Sequence, residues 1–127
     1  MEALLVTVPS FLLRRLYVKG SLRHMPDGMA FDLLNKLGSG YARRLLPLTV
    51  DGNEVPLEDT SFVVDGKRVA FNEISEKSPF SISLNRTTSI VSRGIKLANG
   101  PHKIVMGFEV AGLGVLRFDF TDVAPDV

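Results

Sequence analysis

The chain has 127 residues, no cysteine, 15 basic against 14 acidic side chains and a formal charge of +1. That length suits a single domain over residues 1–127, with a core that needs no covalent staple. The missing cysteines exclude a disulfide framework, a zinc knuckle and a thiol nucleophile. The near-neutral charge gives no electrostatic case for nucleic acid or an anionic membrane as partner.

Ala3 to Leu13 is mostly apolar, and Arg14-Arg15 follow it. A secretory signal places its charge before the apolar run, the reverse of this order. Thr7, Pro9 and Ser10 interrupt the run, which is far short of the ~20 residues that span a bilayer. The expectation is a cytoplasmic chain with no membrane crossing. Leu4 to Val8 reads as a short strand or extended arm, bent at Pro9, since the residue before a proline disfavours helix. One short helical turn, capped by Ser10 and running through Arg15, can follow.

The remainder reads as strands. Leu16, Val18 and Leu22 alternate with Tyr17, Lys19 and Arg23, with Gly20 interrupting. Pro26-Asp27-Gly28 turns the chain into a second alternating run at Met29, Phe31 and Leu33. Gly38-Ser39-Gly40-Tyr41-Ala42-Arg43-Arg44 reads as a flexible loop. Leu45 to Val50 is a strand ended by Asp51-Gly52, and Ser61–Val64 and Lys67–Phe71 flank Asp65-Gly66. Both Asp-Gly pairs are expected to be hairpin tips, because they readily take the positive φ angles of a type I′ turn. Phe80, Ile82 and Leu84 alternate with serines, and Thr87 to Ser92 is rich in β-branched residues. His102–Val110 and Val115–Phe120 bracket Ala111-Gly112-Leu113-Gly114 as a last hairpin. Short strands with turn signals between them give an all-β class, an antiparallel β-sandwich.

Few residues carry chemistry. His24 reads as a solvated strand end. His102 stands at the mouth of a strand after Gly100-Pro101, and is the one histidine kept as a candidate contact. No metal-spaced pair joins the two, and the calcium-loop spacing is absent, so no metal or other cofactor is expected in this chain. Glu54, Glu58 and Asp59, and separately Asp119, Asp122 and Asp126, read as solvated carboxylates. Arg43 and Arg44 can clamp a phosphate or a carboxylate. With Tyr41 they form the candidate ligand or partner contact, though without the spacing of a phosphate loop. No catalytic set assembles from these residues.

The order of features is similar to that of a known family. Leu48-Thr49-Val50-Asp51-Gly52-Asn53-Glu54-Val55-Pro56-Leu57-Glu58-Asp59 is followed by Phe62-Val63-Val64-Asp65-Gly66, Phe71-Asn72-Glu73-Ile74 and Leu97-Ala98-Asn99-Gly100-Pro101-His102. This resembles the small β-subunits of bacterial C-glycoside deglycosidases, over about residues 28–110. Residues 1–16 lie outside it. The resemblance implies a non-catalytic accessory subunit packed on a larger barrel subunit, which holds a divalent metal and the catalytic residues of a carbon–carbon lyase.

Two alternatives remain beside that reading. One is a self-associating sandwich without an enzyme partner, and the other a small enzyme using His102 with a carboxylate. The doublets Leu12-Leu13, Leu33-Leu34, Leu45-Leu46 and Ile104-Val105 place apolar groups on both faces of their segments. A homo-oligomer or a hetero-complex is therefore expected.

Overall fold

The computed structural model describes residues 8–125. The expected arm from Leu4 to Thr7 lies outside them, as does Asp126. Two antiparallel sheets pack face to face, as the alternating runs require. The strands of the first are β1 (Arg23–Met25), β2 (Gly28–Leu34), β6 (Thr60–Val64), β7 (Lys67–Ala70) and β9 (Thr87–Arg93), in the order β1-β2-β9-β6-β7. The second holds β3 (Gly40–Leu45), β4 (Thr49–Val50), β5 (Asn53–Glu54), β8 (Phe80–Ile82), β10 (Pro101–Val110) and β11 (Gly114–Val123). β11 pairs with β10 along its whole length. β3 and β4 share the other edge of β10, meeting Phe108–Val110 and Ile104–Val105 respectively.

The side chains between the sheets form one apolar cluster. Phe31 of β2 meets Phe120 of β11 at 5.1 Å between ring centroids. Phe62 of β6 stacks on Phe80 of β8 at 3.9 Å. Leu22, Met29, Leu48, Ile90 and Ile104 are wholly buried around these rings. No helix among the described residues is long and apolar enough to cross a membrane.

Both Asp-Gly tips have the expected geometry. Asp51 and Gly52 take φ of 51° and 87°, and Asp65 and Gly66 take 51° and 78°. Positive φ at both central residues matches the right-handed twist of the strands they join.

Other segments depart from the sequence reading. The helical turn exists as α1 (Ser10–Leu13), continued by a 3-10 turn over Arg14–Leu16, but Pro9 occupies the N-cap position and no side chain caps it. The Pro9 carbonyl accepts from the Leu12 and Leu13 N–H groups instead. The first alternating run is a strand only at Arg23–Met25. Gly20 at φ 87° turns the chain before it, and Ser21 N–H donates to the Val18 carbonyl. Leu45–Val50 is not one strand: Leu45 ends β3 and Thr49 starts β4, with Pro47, which has no N–H for a ladder, between them. β8 stops at Ile82 and leaves Leu84 exposed. The apolar doublets expose less than expected, since Leu12, Leu33, Leu34, Leu46 and Val105 are half-buried. The large apolar side chains most exposed are others, including Phe11, Tyr41, Val115 and Val123.

Candidate functional site

The segment read as a flexible Gly-Ser-Gly-Tyr loop ends in β3, which runs between β8 and β10. Its residues hide their period because the strand is bulged. Glu109 of β10 faces Arg44 and Val110 faces Ala42, so Arg43 is an extra residue on β3. A bulge sets two residues of one strand against one of its neighbour. Ala42 and Leu45 therefore both point into the core, while Arg43 and Arg44 both reach the outer face.

There the two arginines close on one carboxylate. Arg43 Nε donates to Glu109 Oε2 at 2.7 Å, and Arg44 Nε donates to Oε1 at 2.8 Å. The Glu109 side chain is 19% exposed, and Arg44, then Arg43, hold its carboxyl below the usual range. Arg43 also reaches Glu76 at 3.6 Å. Two guanidinium groups thus face two carboxylates, and the pair that could clamp a phosphate or a carboxylate is engaged by carboxylates of the protein itself. What remains outward is Tyr41, 58% exposed, and the Arg44 side chain, 55% exposed. Val115, opposite Glu109 on β11, is 47% exposed.

His102 stands elsewhere, at the other end of β10. It is buried, and both ring nitrogens are occupied. Nδ1 lies 2.6 Å from Asp51 Oδ2, and Nε2 lies 2.6 Å from the Ala98 carbonyl oxygen. Two acceptors facing two ring nitrogens favour the doubly protonated imidazolium. The Ala98 carbonyl, then the Asp51 carboxylate, raise its pKa above the ordinary 6.5. Asp51 also accepts from the Lys103 N–H, and its carboxyl is held low by His102 first and that amide second. The Asp-Gly tip of the β4–β5 hairpin is thereby pinned to the start of β10. His102 has a carboxylate partner, but both ring nitrogens are held by acceptors of the protein itself, so neither is free to exchange a proton with a substrate.

The other candidates separate. His24 lies in β1, half-buried opposite Met29. The carboxylates read as solvated are partly in use. Asp59 pairs with Arg93 at 2.9 Å, and Asp119 with Arg14 at 3.3 Å. Asp122 accepts from the Tyr17 hydroxyl at 2.7 Å and the Gly20 N–H at 2.9 Å. Among the described residues no group of three His, Asp or Glu side chains is placed to hold a metal ion. The sequence reading missed Asn35, which is buried. Its Oδ1 accepts from the Leu37 N–H at 3.0 Å and its Nδ2 donates to the Gly38 carbonyl at 2.8 Å. An asparagine before Lys-Leu-Gly is the local signal for such an Asx turn.

The match to known families spans nearly all of this framework. Residues 12–124, from α1 to just past β11, match the family of the hydroxymethylglutaryl-CoA reductase N-terminal domain. The chain belongs to that family. No curated protein matches it. In this member of the reductase N-terminal domain family, the matched span holds the bulge at Arg43, Glu109 and the His102–Asp51 pair alike. The match names a family other than the deglycosidase small subunits that the motif order resembles.

Proposed function

We propose that this protein is a non-catalytic module that assembles with a larger catalytic unit through the outer face of the second sheet. The observation that carries this reading is the bulge at Arg43, which gathers Tyr41, Arg43 and Arg44 beside Val115 on one exposed face. Tyr and Arg are enriched at protein contacts, and an arginine already ordered by Glu109 loses little side-chain freedom on binding. The family description, an N-terminal domain of a reductase, and the resemblance to an accessory subunit share this class of role. The apolar cluster gathers residues from Leu13 to Ala124, which supports reading residues 1–127 as a single domain.

The finer form of the proposal follows the motif order. The chain is a small subunit of a C-glycoside deglycosidase-like enzyme in the cytoplasm, and its barrel partner supplies the divalent metal. Co-expression with the product of an adjacent barrel gene tests it. A complex should elute as one species and separate when Tyr41→Asp and Val115→Asp are introduced together. Turnover by the purified chain alone, abolished by His102→Gln, would overturn the proposal in favour of a small enzyme.

A further inference from the structure

Between β9 and β10 the chain runs from Gly94 to Gly100 without strand or helix. The segment is held as far as Ala98. The Gly94 N–H donates to the Asp27 carbonyl, Leu97 is buried in the core cluster, and the Ala98 carbonyl oxygen lies 2.6 Å from His102 Nε2. Asn99 comes next and is exposed, and Gly100 follows it at φ 99°. Among the described residues, neither the Asn99 carboxamide nor the Gly100 N–H has a hydrogen-bond partner.

An unpartnered main-chain nitrogen beside an unpartnered carboxamide is a reactive pair. Attack by the Gly100 nitrogen on Asn99 Cγ closes a five-membered imide ring. The N–Cγ bond forms, the Cγ–Nδ2 bond breaks, and ammonia leaves, carrying the Gly100 amide proton. Water then adds to either imide carbonyl and opens the ring to aspartate or isoaspartate, so water is the sole co-reactant. Glycine at position 100 brings no side chain to hinder the approach. The other asparagines lack this arrangement. Asn53 and Asn72 precede glutamates, Asn85 precedes Arg86, and Asn35 is buried and precedes Lys36. At the Asp-Gly pairs the electrophile is a carboxylate, which is a poorer one, and Asp51 is in addition held through both oxygens.

We infer that Asn99 is a site of spontaneous deamidation, and that the isoaspartate it forms releases His102 from the Ala98 carbonyl. In isoaspartate the main chain passes through Cβ and Cγ, which adds one carbon between Ala98 and Gly100. On the far side of that insertion the chain is fixed, because Pro101 and His102 pair with Val123 and Asp122 in the β10–β11 ladder. The added length therefore falls on Ala98, whose carbonyl has to meet Nε2. The charged groups around the ring stay where they are: Asp51 at the hairpin tip, Lys103 next along β10 and Asp122 across the ladder. The site stands at the opposite end of β10 from the Tyr41–Val115 face proposed for assembly.

The full chain, incubated for weeks in mildly alkaline buffer at body temperature, tests this by peptide mass spectrometry with chromatographic separation of aspartate from isoaspartate. Asn99 should convert about tenfold faster than Asn53, Asn72 or Asn85, since glycine leaves the approach open. In the separated isoaspartate form, NMR should show the His102 ring titrating at lower pH than in the intact chain, because an acceptor for its charged form is lost. Asn99→Asp adds the charge without lengthening the main chain and should not lower that titration. Conversion takes place in the folded chain, so the site is decided without any variant. An Asn99 that stays intact, or converts no faster than the other three, would overturn the inference. So would an isoaspartate form whose His102 titrates as in the intact chain.

Discussion

His102 joins distant parts of the chain through its two ring nitrogens, and its behaviour with pH follows from that. Its pKa is raised in the folded state, so it contributes stability that is fully present below its unfolded value of about 6.5. That contribution is lost as pH rises through the higher folded value. Asp51, held low, contributes in the opposite sense, losing its share as pH falls through its depressed folded value. Thermal unfolding between pH 6 and 9 should therefore show a decline in midpoint that His102→Gln flattens. A parallel decline in both proteins would remove the histidine from this account. Tyr17 is a second residue of this kind. Its hydroxyl donates to Asp122 and accepts from the Leu22 N–H, and burial, then Asp122, push its pKa up to about 12. Tyr17→Phe keeps the ring stacked on Phe120 but strands that amide. It should cost about 1–2 kcal/mol in urea unfolding, the range for a lost part-buried hydrogen bond.

Elements respond to backbone geometry as well as to side chains. β3 keeps Ala42 and Leu45 inward only because Arg43 is an extra residue. Deleting Arg43 would remove the bulge and leave Ala42, Arg44 and Leu45 in simple alternation, each on the face it already occupies. The shortened chain should therefore still unfold cooperatively, as should Arg43→Lys, which keeps the bulge, and a deletion variant that precipitates beside a folded Arg43→Lys would show that the bulge itself is required. Circular dichroism melts of the two make the comparison. At the hairpin tips, Gly52→Val and Gly66→Val place a β-branched side chain at positive φ and should each cost about 1 kcal/mol or more. Gly28 is constrained differently. It pairs with Arg93, and a Cβ there would collide with the Ser92 carbonyl oxygen. Gly28→Ala should cost about 3 kcal/mol, because backbone rather than a movable side chain must give way.

At the scale of the molecule, the two sheets are fastened by aromatic pairs that cross the interior. Phe118 is fully buried, and Phe118→Ala should lower stability by about 3–5 kcal/mol. Association concerns the outside. Tyr41, Val115 and the exposed Arg44 share one face with a central carboxylate. A stable interface on it would bury about 800 Å² per partner. Sedimentation at micromolar concentration, alone or with the proposed barrel partner, should show a species heavier than the monomer that Tyr41→Asp dissociates. A monomer under both conditions would contradict the proposed role.

The sequence by itself determined the class of fold and most of its turns. Alternation at Met29-Phe31-Leu33 and the paired Asp-Gly tips are local properties, decided by which face of a strand is apolar and which residues tolerate positive φ. The last hairpin was legible for the same reason. What only the tertiary structure decided involves neighbours far apart in the chain. Gly40–Leu45 looks like a loop because its inward residues are three apart. The cause of that spacing is Glu109 on another strand, which Arg43 and Arg44 share. The pairing of His102 with Asp51 spans 51 positions and rests on the register between β4 and β10. Arg86 carries no local mark that sets it apart from the other arginines. Its place over the Phe80 ring, itself stacked on Phe62 of the other sheet, exists only once the two sheets close around the core.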